Sequence, residues 1–167
     1  MNIDLNHRQS GSGHITTITY SREEKLNSLN STGVKELHQA FISLMNDEDL
    51  RAIVLTGSGS KAFFGGADIF EMSEMDPKGA KEFITSLHKL FLAIRSHPVP
   101  VIARINGYTL GASMELAAAC DLRVSIDTAI FGMPEVRVGL PSVIEAALLP
   151  RLIGWGRSNY LVLTAEN

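Results

Sequence analysis

Residues 106–121 read NGYTLGASMELAAACD, and they place a glutamate where the local composition argues against one. Glu115 is followed by Leu116, Ala117, Ala118, Ala119 and Cys120, with no charged partner among them. A carboxylate in such surroundings loses hydration unless a partner or a ligand compensates. The same stretch organises its neighbours. VPVIARING (99–107) reads as a strand, residues 111–120 as a short and nearly all-apolar helix, and DLRVSI (121–126) as a returning strand. Strand, turn, helix and strand in that order belong to a layered α/β protein.

The pattern extends outward. HITTITY (14–20) is rich in β-branched side chains and reads as a strand. Ser31 or Thr32 is placed to cap a helix whose apolar stripe is Val34, Leu37, Phe41, Leu44 and Met45. RAIVLTG (51–57) is a buried strand running into the glycine-rich loop GSGSKAFFGGAD (57–68). Asp76 and Pro77 open a second helix, with Phe83, Leu87, Leu90, Phe91 and Ile94 on its core face and Pro98 beyond its end. Ser142 opens a last helix through Leu149, and Glu145 three residues on has capping-box spacing. The alternation of strand and helix predicts α/β layers with a largely parallel sheet. Residues 1–13 read as a flexible N-terminal segment and 14–167 as one core domain, without repeats or an interior linker.

Composition narrows the function classes. The 167 residues are 45% hydrophobic and 20% charged, an ordinary globular balance. A net charge of −3 without a basic block argues against nucleic acid or an anionic membrane as partner. No apolar run reaches spanning length, and MNIDLNHRQSGSGHI lacks a signal-peptide core, so a cytoplasmic setting is expected. Cys120 is the sole cysteine, and the histidines at 7, 14, 38, 88 and 97 show no ligand spacing. Neither an intrachain disulfide nor a metal site is expected.

The chemistry gathers at two glycine-bearing turns, 65–67 and 111–112, each following a strand. Ligands of α/β sheets collect at the carboxyl ends of strands, where helix starts leave N–H groups free. Two such loops can polarise a carbonyl together, and removing one donor from an oxyanion hole costs roughly 3–4 kcal/mol of barrier. Glu115 follows the second turn, and Glu135 in FGMPEVRVGLP follows twenty residues later. Two carboxyls in different environments can divide acid and base roles around one substrate. Ser113 does not complete a nucleophile elbow, because Glu115 takes the second glycine position, and the G-x-x-x-x-G-K-[ST] phosphate loop is absent. Asp68 reads as a residue that fixes its loop by local hydrogen bonds.

KAFFGGADIFEM, PVIARINGYTLGASMELAAACDLRVS and FGMPEVRVGLP, in this order, resemble the signature stretches of the crotonase superfamily, the enoyl-CoA hydratases and isomerases. The resemblance implies a spiral of ββα units binding acyl-CoA thioesters, with no separate cofactor because coenzyme A is part of the substrate. It implies that the N–H groups of Ala67 and Ala112 hold the thioester oxygen, and that Glu115 and Glu135 handle water and its protons. It places Lys25, Gly66, Asp68, Ile69 and Gly111 along the substrate, Lys25 because ITYSREEKLNSLNS (18–31) resembles the loop that opens the family's fold. Hydration of a 2-enoyl-CoA to the 3-hydroxyacyl-CoA is the implied reaction, since isomerases of the family commonly keep only the carboxylate matching Glu135. The alternatives are a double-bond isomerase and a truncated, non-catalytic remnant acting as a binding or oligomerising module. Family members continue into a helical C-terminal region, so the chain reads as truncated before those helices. A homo-oligomer, trimer or hexamer, is implied if the truncation allows it. Ala112 and Ser113 stand where the pattern has glycines, and an alanine keeps its amide available where φ is negative. Phe64 stands where the pattern has a small residue and is expected to narrow the acyl pocket.

Overall fold

In the computed structural model, which describes residues 2–166, each strand expected from periodicity is present, and a second set of short strands lies between them. The order is β1 (Ile3–Ser10), β2 (Gly13–Tyr20), α1 (Ser31–Leu44), β3 (Leu50–Gly57), β4 (Ala62–Phe64), α2 (Ile69–Ser73), α3 (Pro77–Arg95), β5 (Val101–Ile105), β6 (Tyr108–Leu110), α4 (Ala112–Ala119), β7 (Leu122–Ser125), β8 (Phe131–Gly132), α5 (Leu149–Ile153) and α6 (Trp155–Thr164). A first sheet runs β1-β2-β3-β5-β7, and a second runs β4-β6-β8. Apart from the antiparallel β1–β2 hairpin, every pairing is parallel. Each of the units starting at β3, β5 and β7 therefore gives its first strand to the large sheet and its second to the small one. That is the ββα spiral.

The core fills the space between the large sheet and α1 and α3. Ile18, Ile53, Leu55, Phe41, Leu87, Leu90 and Phe91 are fully or almost fully buried there. The expected stripes of α1 and α3 face this core, Met45 alone being only half-buried. Asp76 caps α3 by accepting from the Gly79 N–H, with Pro77 in the first turn as its fixed φ favours. α4 is buried on every side, which is why its sequence carries no amphipathic period.

Four expectations need correction. Residues 3–10, expected within a flexible segment, are β1, paired with β2 from Ile3↔Tyr20 to Ser10↔Gly13; residue 1 and residue 167 lie outside the described residues. α1 is capped by Asn30, whose side chain accepts from the Gly33 N–H, and not by Ser31 or Thr32. Phe64 is fully buried, stacked on Tyr20 at 5.2 Å and edge-on to Phe63 at 4.7 Å, so it belongs to the core and not to an acyl pocket. The helix expected from Ser142 does not form. Residues 141–145 run without helix to a 3₁₀ turn at Ala146–Leu148, and Glu145 makes no capping hydrogen bond.

Candidate active site

The small sheet builds the site. Because β4, β6 and β8 are short and parallel, their carboxyl ends release three loops side by side: 65–67 after β4, 111–112 after β6, and Met133–Glu135 after β8. The Gly111 N–H donates to Gly132 O at 2.9 Å and ties the second loop to the third. A Cβ built on Gly66 would lie 2.9 Å from Leu110 O, so the first loop lies against the second. Gly66 and Gly111 have φ of +98° and +55°, a region side chains resist. Ala67 and Ala112 are outside that region, so the alanine at 112 is accommodated without strain.

The Ala67 amide follows Gly66, whose carbonyl accepts from Leu29 N–H, and precedes Asp68, whose N–H donates to Leu29 O. The Ala112 amide opens α4, where helix geometry offers it no acceptor. Among the described residues neither amide has a hydrogen-bond acceptor. Two free donors thus flank the point where the loops meet.

Glu115 sits in the first turn of α4 at 2% exposure. Its Oε1 accepts from the Ala146 N–H at 2.9 Å and the Ile144 N–H at 3.3 Å. Both hydrogen bonds go to Oε1, and none to Oε2 is found among the described residues. Burial pushes its pKa up to about 7, with the carboxylates of Glu135 and Glu145 adding to the rise and the two amides opposing it. Holding it ionised there costs about 3 kcal/mol relative to water. Glu135, half-buried in the 3₁₀ turn Pro134–Val138, is also raised, by burial first, against its own amide and the Ser142 hydroxyl. Ser142 Oγ donates to Glu135 Oε2 at 3.2 Å. One segment, 142–146, therefore holds both glutamates, with its backbone in a non-helical conformation from Ser142 to Glu145. The Ser142 hydroxyl, expected to cap a helix, serves Glu135 instead.

The remaining expected residues divide. Gly66 and Gly111 are at the loop junction. Asp68 is buried and caps α2 through the Phe70 and Glu71 N–H groups, while Arg22 pairs with it at 2.7 Å. Burial alone would raise the Asp68 pKa; the Arg22 hydrogen bond and charge with the α2 amides outweigh that and lower it. Its carboxylate is committed to the loop. Lys25 lies over the Phe70 ring at 5.5 Å, and Phe70 and Ile69 are exposed beside it. Ser113 is buried with its hydroxyl unpartnered, unlike an exposed nucleophile. Among the described residues no group of three or more His, Cys, Asp and Glu side chains is arranged to hold a metal, and no helix is long and apolar enough to cross a membrane.

The family model for enoyl-CoA hydratase/isomerase matches residues 10–167. The chain is 38% identical to a short-chain-enoyl-CoA hydratase of Clostridium acetobutylicum, over 93% of this chain and 60% of that one. It is 36% identical to a crotonyl-CoA hydratase of Syntrophomonas wolfei, over 91% and 59%. The chain thus spans about three fifths of the length of these curated relatives. The crystal structure of an enoyl-CoA hydratase from Bacillus anthracis superposes with a TM-score of 0.93 at 32% identity, covering 99% of this chain and 64% of that one.

Proposed function

We propose, from the premise that this chain belongs to the enoyl-CoA hydratase/isomerase family, that it adds water across the 2,3 double bond of an enoyl-CoA. One observation carries the reading: two carboxyls with raised pKa values stand beside two backbone N–H groups that have no acceptor.

The thioester oxygen is placed between the Ala67 and Ala112 N–H groups, which stabilise the negative charge it gains as the double bond is attacked. Water sits between the free Oε2 of Glu115 and the Glu135 carboxyl. The ionised carboxyl takes a proton as the water oxygen bonds to C3, and the protonated one delivers a proton to C2. The Glu135 charge raises the Glu115 pKa and burial raises both, so the two roles are assigned to the pair and not to either residue alone. Lys25 and the exposed faces of Ile69 and Phe70 are the proposed contacts for the coenzyme A portion, at the outer edge of the first loop. No further cofactor is required, because the amides themselves polarise the carbonyl. Self-association is proposed to cover the exposed Val136, Val138, Trp155 and Leu163, which a light-scattering mass of the chain tests.

Incubating the chain with crotonyl-CoA tests the reading. The prediction is loss of the conjugated enoyl-thioester absorbance and a product heavier by one water. Conversion of a 3-enoyl-CoA to the 2-enoyl isomer without water uptake would replace hydration by isomerisation.

A further inference from the structure

Glu145 is a third buried carboxylate, and neither acid–base role above uses it. It is 5% exposed, yet its side chain turns away from Glu115 toward α3. There Oε1 meets His88 Nδ1 at 3.2 Å and Oε2 meets the Arg95 guanidinium at 3.4 Å. Its chain neighbours, Ile144 and Ala146, supply both N–H groups that hold Glu115 Oε1. The residue gripped by α3 is thus the one between the two donors.

Stability does not account for the arrangement. The His88 and Arg95 side chains are 54% and 42% exposed, so their attraction to Glu145 is screened and contributes little. A buried carboxylate is costly, and replacing a buried ion pair by well-packed apolar residues is often neutral or stabilising. What a charged residue adds is direction. It has two partners on one helix face, seven residues apart, and they fix the orientation of the backbone on either side.

We propose, resting on the hydratase reading above, that Glu145 is a positioning residue: anchored by His88 and Arg95, it aims the Ile144 and Ala146 amides at Glu115 Oε1 and leaves Oε2 to the water. The charged groups around it are His88 and Arg95 on α3 and Glu115 on α4, with Asp121 and Arg151 lining the cleft shared with Arg95, while Glu135 acts on Glu115 from the 3₁₀ turn.

Three variants test it. In Glu145→Ala the anchor is lost, and kcat is expected to fall about tenfold or more with KM within about twofold, as for loss of a hydrogen bond to a charged group. The Glu115 titration moves to higher pH, because the Ala146 amide lowers its pKa more than the Glu145 charge raises it. Glu145→Gln keeps an acceptor for Arg95 and is expected to restore most of kcat. The double variant His88→Ala, Arg95→Met leaves Glu145 in place, changes only half-exposed side chains, and is expected to reproduce the kcat and pH effects. An isotope-edited infrared titration of the Glu115 carboxyl reads the shift without any turnover. A wild type inactive on crotonyl-CoA would therefore overturn the hydratase reading while the titration still judged the clamp. An unmoved Glu115 titration in both Glu145→Ala and the double variant, or a Glu145→Ala loss confined to thermal stability, would overturn the proposal.

Discussion

A methyl group on Gly111 would lie 2.5 Å from Oε1 of Glu135. The glycine preceding the proposed oxyanion donor Ala112 and the carboxyl twenty-four residues later are therefore in contact, and the empty space at Gly111 is what lets Glu135 reach the loop junction. Gly111→Ala must displace the carboxyl and also hold a side chain at φ +55°. Turnover on crotonyl-CoA is expected to fall about 10²-fold, as misplacing a reacting group by an ångström does. Steady-state kinetics beside a far-UV circular dichroism spectrum checks this.

Glu115 makes the protein less stable as pH rises. Its folded pKa, about 7, lies above its ordinary value of 4.5, so the folded state holds a proton that the unfolded chain has released. The contribution is complete below pH 4.5 and is lost as pH climbs to 7, a change of about 3 kcal/mol. Glu115→Gln is expected to flatten this slope and to be more stable than the wild type at pH 8. Urea unfolding at pH 5 and pH 8 measures it.

Asp68 has the opposite sign. Its lowered pKa contributes stability that is present above the ordinary aspartate value and lost as pH falls through the folded value. Asp68→Asn keeps a cap for α2 but leaves the largely buried Arg22 without its carboxylate. About 3 kcal/mol of destabilisation at pH 7 is expected from breaking such a pair, shrinking toward acid. Denaturant midpoints across pH give the comparison.

Phe64→Ala separates core from pocket. Full burial against Tyr20 and Phe63 predicts a loss of about 3–5 kcal/mol. The ratio of kcat/KM between short and long enoyl-CoA substrates is expected to stay unchanged. A widened chain-length range at undiminished stability would return Phe64 to the acyl pocket.

Four of the five strands of the larger sheet were legible, because β2, β3 and β5 are β-branched runs bounded by turn residues and β7 follows the apolar helix. α1 and α3 carry clear 3.6-residue stripes, whereas β1 was missed because its sequence is polar. The small sheet was hidden by its length: β4, β6 and β8 have three, three and two residues, too few to show a period. Yet this sheet sets the site, so the juxtaposition of Gly66, Gly111 and Glu135 came from resemblance and not from patterning. Ser142 and Glu145 misled for a different reason. Capping-box spacing is a local signal, and here tertiary partners, Glu135 for one and His88 with Arg95 for the other, took the groups a helix start would have used.

The paired action of Glu115 and Glu135 is tested most directly by comparing kcat on crotonyl-CoA for Glu115→Gln, Glu135→Gln and the double variant, with acyl-CoA affinity measured alongside. Each single variant is predicted to lose at least about 10²-fold in kcat with affinity preserved. The double variant is predicted to lose little more than either single one, as for groups that act as a unit. Undiminished turnover in either single variant would contradict the account.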